Sequence, residues 1–208
     1  MADPSLRLFP PDSLEPERAY PSRSKQALFF ARNFLKHPRM VGSVVPSSRF
    51  LIERMLDKVD WAGSDLVLEY GPGVGIFTAA ILRRLRPDAK LVAIEMNPAF
   101  VEFVARWVRD PRLVLVEGSA ANADEILASR GLPLANYIIS CLPYAAMTPD
   151  ARDAILRTAH RVLRPGGAFI SYHYTPAMLP SLQAIFGNIG RDFEPLNIPP
   201  AWLFHCQR

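Results

Sequence analysis

The sequence predicts an α/β fold: a doubly wound, mostly parallel sheet with helices on both faces, preceded by an N-terminal helical extension. Two observations carry that prediction. From Leu66 onward, short apolar segments alternate with helical patterns. The first of these segments, Val67-Leu68-Glu69-Tyr70, breaks into Gly71-Pro72-Gly73-Val74-Gly75 and then resumes with helical periodicity. A buried strand, a tight turn and a helix N-terminus in that order form the usual approach to a nucleotide-like ligand.

Taken along the chain, residues 1–22 hold five prolines with little apolar periodicity and read as an extended or disordered arm. Residues 23–60 read as N-terminal basic helices. A first helix over 24–36 is ended by Pro38; at about 100° per residue Lys25, Arg32, Lys36 and Arg39 share a stripe, opposite Ala27, Phe30, Ala31, Phe34 and Leu35. A second helix starts at Ser47 or Ser48 and buries Leu51, Met55 and Leu56. Residues 61–208 form the ligand-binding domain. Its strands are predicted at 66–70, 91–95, 113–117, 136–141, 167–174 and 201–206, with a seventh around 190–196. Its helices are predicted at 75–85, 98–109, 121–129, 149–163 and 176–187. Thr148-Pro149-Asp150 is a capped start, and Arg164-Pro165-Gly166-Gly167 a stop.

Composition narrows the class. Half the residues are hydrophobic and 21% are charged, as in a soluble globular domain. No apolar run approaches the roughly 20 residues that span a bilayer. The N-terminus shows no secretory pattern, and two cysteines, Cys141 and Cys206, make no disulfide framework or metal cluster. A reducing, cytoplasmic setting is expected, with no metal. The net charge of +4 is unevenly placed: Arg18 to Ile52 holds seven basic residues and no acidic one, whereas residues 61–208 hold 14 basic and 13 acidic. That asymmetry points to an anionic partner for the N-terminal segment.

The glycine spacing selects the ligand. A dinucleotide loop has glycine at its first, third and sixth places, and the sixth place here is Ile76. Gly71, Gly73 and Gly75 let the backbone approach a ligand closely, and Glu69 stands where a carboxylate attracts a cation. S-adenosylmethionine offers an ammonium beside its sulfonium. Glu95 ends the next strand, where a carboxylate can accept both ribose hydroxyls, and Met96 follows it to pack on adenine. Ser119 and Ala120 end the third strand where adenine would lie. The fourth strand ends in Ser140-Cys141-Leu142-Pro143-Tyr144. Pro143 leaves strand geometry so that carbonyls near Ser140 and Cys141 face the site, and Tyr144 is expected to present its ring. Methylating an amine builds positive charge on nitrogen, which carbonyls and an aromatic face stabilise. On the fifth strand Tyr172 and Tyr174 share one face, with Tyr174 a candidate for orienting substrate. His173 takes the other face and reads as structural.

These residues together resemble the class I S-adenosylmethionine-dependent methyltransferases, with their Rossmann-like, seven-stranded sheet. More narrowly, four stretches resemble bacterial phospholipid N-methyltransferases acting on phosphatidylethanolamine. They are Phe34-Leu35-Lys36-His37-Pro38-Arg39-Met40-Val41-Gly42-Ser43-Val44-Val45-Pro46-Ser47-Ser48, the glycine motif, Ser140-Cys141-Leu142-Pro143-Tyr144, and Asn197-Ile198-Pro199-Pro200-Ala201-Trp202. The resemblance implies successive methylation of that lipid amine toward phosphatidylcholine. It implies a cofactor site lined by Glu69, Tyr70, Gly71, Gly73, Gly75, Glu95, Met96, Ser119, Ala120 and Ser140. Ser140, Pro143, Tyr144 and Tyr174 would attend the reacting amine. Lys25, Phe29, Phe30, Arg32, Phe34, Lys36 and Arg39 would lie on an anionic membrane, placing a monomeric enzyme at the inner face of the cell membrane. The family often carries an acid where this chain has Ser119, and glycine where it has Cys141.

Three other readings compete. RNA adenine dimethyltransferases carry a similar Leu-Pro-Tyr turn, but theirs opens with asparagine rather than serine. A small-molecule amine N-methyltransferase fits the same cofactor site. A non-catalytic membrane-surface protein would keep the fold without the chemistry.

Overall fold

The computed structural model describes residues 47–208. Helix α1, Arg49–Leu56, is capped by Ser48, whose hydroxyl accepts from the Leu51 N–H at 3.2 Å, and it buries Leu51, Ile52, Met55 and Leu56. The predicted helix over 24–36 lies outside the described residues. From there the chain alternates: β1 (Leu66–Tyr70), α2 (Ile76–Arg84), β2 (Lys90–Glu95), α3 (Pro98–Trp107), β3 (Leu113–Glu117), α4 (Ala123–Ser129), β4 (Ala135–Ser140), α5 (Pro149–Val162), β5 (Leu163–His173), α6 (Leu179–Gln183), β6 (Asn188–Glu194) and β7 (Ala201–Gln207).

The strands form one sheet in the order β3-β2-β1-β4-β5-β7-β6. β1 to β5 run parallel, and β7 lies antiparallel between β5 and β6. Strand order reverses beside β1, so the crevice between β1 and β4 is the place where such sheets bind ligands. Arg164-Pro165-Gly166-Gly167 stops α5 at Val162 as expected, but β5 starts four residues before the prediction, with a register shift across that stretch. The helix expected over 176–187 is shorter, a 3₁₀ turn at Pro176–Met178 and then α6, which carries Pro180 in its first turn.

The central strands are apolar on both faces, as parallel strands covered by helices must be. On one face Leu66, Leu68, Ile138 and Phe169 pack beneath α4, α5 and α6. On the other Val67, Leu91, Ile139 and Ile170 pack beneath α1 and α2, and Ala93 and Leu115 beneath α3. Asn136 anchors the entry to β1: its Oδ1 accepts from the Asp65 and Leu66 N–H groups at 3.1 and 3.0 Å, and its Nδ2 donates to the Gly63 carbonyl at 2.9 Å.

Candidate functional site

At the carboxyl edge of β1 the chain turns through Gly71, Gly73 and Gly75 with φ of 73°, 56° and 79°, all in the left-handed region that favours glycine. A Cβ on Gly71 would also lie 2.8 Å from Leu142 Cδ2, so that side chain would have to turn aside. Gly75 is the N-cap of α2 and offers no side chain to the first turn. The free N–H groups of that turn therefore point toward the loop, as an anion-tolerant helix N-terminus does.

Two carboxylates frame the loop. Glu69 is fully buried on the α2 face of β1; its Oε2 accepts from Thr78 Oγ1 at 2.7 Å, while its Oε1 is buried with no hydrogen-bond partner. Burial pushes its pKa up to about 8, with the nearby Glu95 adding to the rise and the Thr78 hydroxyl opposing it. An acid in that position is stable as an anion only when a cation comes to it. Glu95 accepts from the Gly73 N–H at 3.1 Å and the Asn97 N–H at 2.9 Å, and its pKa is raised chiefly by burial against those bonds. Each of its oxygens thus has one bond to backbone and one remaining acceptor site. Glu95 also braces the glycine loop, a task that the strand-end reading of the sequence did not contain.

Met96 is 55% exposed beside Glu95. Ser119 is half-buried and caps the 3₁₀ turn at Ala120–Asn122, its Oγ accepting from the Ala121 N–H at 3.2 Å; Ala120 is buried beneath it. Sequence reasoning overlooked two residues. Thr78 holds one oxygen of Glu69. Asn97 has a buried Nδ2 without a partner, while its Oδ1 caps α3 through the Ala99 N–H at 3.0 Å. A polar side chain three residues after the last loop glycine, and another directly before a helix-starting proline, were the available signals.

The structure corrects two expectations, for Tyr70 and Tyr144. Tyr70 follows Glu69, so its side chain takes the opposite face and is fully buried in the core; it does not line the glycine cradle. Ser140 is the register partner of Tyr70 and turns the same way, its Oγ hydrogen-bonded to Tyr144 Oη at 2.9 Å. Tyr144 is only 1% exposed: its ring packs edge-on to Phe169 and beside His173, and presents no open face to a reacting amine. The cause is the turn at Pro143, where the Tyr144 N–H returns to the Leu142 carbonyl at 3.0 Å with Pro143 at φ −81° and ψ 67°. That inverse γ-turn folds the tyrosine back under the strand end. Tyr172 and Tyr174 do share a face, with ring centroids 6.0 Å apart, and both are half-buried over the α1–α2 side. Tyr172 stacks on Phe77 and its hydroxyl receives Ser47 Oγ at 3.3 Å. His173 is buried on the other face, bonded to Ser171 Oγ at 3.0 Å, and burial holds its pKa down at about 4, so it is a neutral structural group. Lys25, Phe29, Phe30, Arg32, Phe34, Lys36 and Arg39 lie outside the described residues.

The arrangement accommodates S-adenosylmethionine on the evidence of its own atoms. The unpartnered Glu69 Oε1 fits an ammonium, the open acceptor sites of Glu95 fit ribose hydroxyls, and the three positive-φ glycines leave room between them.

Comparison with known proteins agrees. Residues 67–167 match a family described as a methyltransferase domain. Over 185 residues the chain is 28% identical to an ornithine lipid N-methyltransferase of Singulisphaera acidiphila, a match covering 88% of this chain and 96% of that one. It is 34% identical over 99 residues to a probable ribosomal RNA small subunit methyltransferase A of Thermococcus onnurineus, covering 48% of this chain and 33% of that protein. The chain therefore spans about a third of the length of that RNA enzyme. Among solved structures, a putative O-methyltransferase from Klebsiella pneumoniae superposes with a TM-score of 0.62 at 17% identity, over 94% of this chain and 93% of that one. A 1,6-didemethyltoxoflavin-N1-methyltransferase from Burkholderia thailandensis, solved with S-adenosylhomocysteine, gives 0.59 at 15% identity over 100% and 97%.

Proposed function

We propose that this chain, an S-adenosylmethionine-dependent methyltransferase, transfers methyl groups to the amine of phosphatidylethanolamine and its methylated intermediates at a membrane surface. The observation that carries the lipid acceptor is the match to the ornithine lipid N-methyltransferase, which runs nearly the full length of both chains. The ribosomal RNA relative matches over only 48% of this chain, so it speaks for the shared cofactor half rather than for the acceptor.

When bound, S-adenosylmethionine would supply an electrophilic methyl carbon on a positively charged sulfur; the acceptor nitrogen would gain the N–C bond as the C–S pair returns to sulfur, giving a proton to solvent in the first two methylations and none in the third, which yields a quaternary ammonium. The chain's own groups bind and orient. Glu69 Oε1 would hold the cation of the amino-acid end and Glu95 the sugar, with the glycine loop passing close between them. Tyr172 and Tyr174 line the α1 side of the strand edge, where the acceptor amine enters in this reading, and Ser47 bonds to that wall through the Tyr172 hydroxyl. The basic residues of that segment, Lys25, Arg32, Lys36 and Arg39, with Phe29, Phe30 and Phe34, carry the membrane contact in this reading.

A methyl-transfer assay offering phosphatidylethanolamine, its mono- and dimethyl forms, an ornithine lipid, a soluble amine and small-subunit ribosomal RNA side by side tests it, with products resolved by mass. Methylated phosphatidylethanolamine is expected. Product confined to the ornithine lipid, to the soluble amine or to RNA would overturn the acceptor.

A further inference from the structure

The β6–β7 loop reverses the usual rule of burial. Its polar side chains are inside: Glu194, the last residue of β6, is 2% exposed and Asn197 3%. Its apolar side chains are outside: Leu196 is 59% exposed and Ile198 76%. The loop is also firmly built. Glu194 Oε2 accepts from Arg54 Nε at 2.7 Å and its Oε1 from the Leu196 N–H at 2.8 Å. Asn197 Oδ1 accepts from the Ser48 N–H at 2.9 Å, and its Nδ2 donates to the Pro199 carbonyl at 2.7 Å. Leu196 and Ile198 are therefore held in water by a buried hydrogen-bonded base. A fold that enforces such a local violation usually does so for a binding surface.

Its position says which surface. β7 starts at the edge where β5 ends, with His173 opposite Trp202, so the loop stands at the same edge of the sheet as the glycine cradle. Asn197 grips the residue before α1, and the next two, Arg49 and Phe50, are exposed with the guanidinium 4.7 Å from the ring centroid. Arg54, whose side chain is 44% exposed, lies against the buried Glu194. Asp192, the other acid on β6, is paired with Lys58. Upstream of Ser47 the sequence continues with six basic residues back to Arg18 and no acid. The catalytic edge thus combines projecting aliphatic side chains with cations, the two components of reversible attachment to an anionic bilayer.

We infer that residues 195–200 form a membrane wedge: Leu196 and Ile198 enter the headgroup–acyl boundary of an anionic bilayer, Arg49 meets lipid phosphate, and the cradle opens onto that surface. The wedge rests on the lipid-acceptor reading and adds to it a docking element separate from the N-terminal helix.

The full chain is tested on vesicles of phosphatidylcholine with phosphatidylglycerol. Ile198→Asp is expected to lower vesicle affinity at least about tenfold, since one buried aliphatic side chain is exchanged for a charge that anionic lipid repels. Thermal midpoint and calorimetric affinity for S-adenosylhomocysteine should not change, because the position is exposed. Ile198→Trp should add fluorescence that is quenched by lipids brominated on their acyl chains. Undiminished vesicle binding by Ile198→Asp overturns the wedge, as does an introduced tryptophan that escapes quenching on bound vesicles. So does one already shielded without lipid, which would place residues 24–36 or a second copy on the loop. Neither readout needs turnover. Wedge-dependent binding without lipid methylation would overturn only the acceptor, and lipid methylation in detergent micelles with wedge-independent vesicle binding would overturn only the wedge.

Discussion

Glu69→Gln is the substitution whose effect follows most directly from the geometry. With a pKa near 8 in the ligand-free site, about nine-tenths of the Glu69 carboxyl is protonated at pH 7. Its unpartnered Oε1 receives the cofactor's ammonium only as the anion, so binding at pH 7 should release about 0.9 proton. Affinity for S-adenosylhomocysteine, which shares that amino-acid end, should rise roughly ninefold from pH 6 to 7 and roughly fivefold from 7 to 8. Calorimetry in two buffers of different ionisation enthalpy measures both. In Glu69→Gln the proton release and the pH slope should vanish, and affinity at pH 8 should fall about ten- to a hundredfold with the charge-assisted bonds, about 1.5–3 kcal/mol. A slope that survives the substitution would refute the assignment, because Glu95, also shifted upward, would then be the titrating group. The same shift has a consequence without ligand. The folded state keeps a proton that the unfolded state loses above about 4.5, so the Glu69 contribution to stability is complete below that value. It should decline by up to about 1.4 kcal/mol per pH unit toward pH 8 and then level off, a decline that Glu69→Gln removes.

Other substitutions probe the frame. Glu95→Ala should weaken S-adenosylhomocysteine binding by at least about 1.5–3 kcal/mol in calorimetry, since it removes the ribose acceptor and also frees the Gly73 N–H; unchanged affinity would deny it both roles. Gly71→Ala combines an unfavourable φ of 73° with a 2.8 Å contact to the Leu142 side chain, and should weaken cofactor binding while lowering the thermal midpoint by a destabilisation of about 1–3 kcal/mol. Tyr144→Phe should cost about 0.5–1.5 kcal/mol in denaturant unfolding through the lost Ser140 bond, with cofactor affinity preserved because the ring lies in the core. Asn136→Ala strands two backbone N–H groups and a carbonyl at the root of β1, and a loss of about 2 kcal/mol or more is expected by the same measurement.

Much of this was legible in the sequence because it depends on neighbours along the chain. Apolar periodicity located the seven strands of the sheet and put Glu69 and Glu95 at strand ends, and residue type marked the glycine turn, the Thr148 cap and a cap at Ser47 or Ser48, of which the structure uses Ser48. What failed was where a side chain's destination depends on a partner elsewhere. Tyr144 looked like an aromatic face on a proline turn, yet that turn delivers it to Phe169 and His173 from another strand. Arg164-Pro165-Gly166-Gly167 did end the helix at Val162, yet pairing with β4 and β7 also draws it into a strand that the sequence began only at 167.

By itself, then, the sequence determined the alternating architecture and the cofactor cradle, since three alternating glycines between a strand and a helix, flanked by acids, are a local statement about backbone and charge. Only the tertiary structure decided what those acids can do. Burial leaves one oxygen of Glu69 without a partner and binds Glu95 to the loop. The antiparallel return of β7 likewise places an exposed Leu196 and Ile198 at the same edge, because the placement of a loop is set by which strand lies beside which.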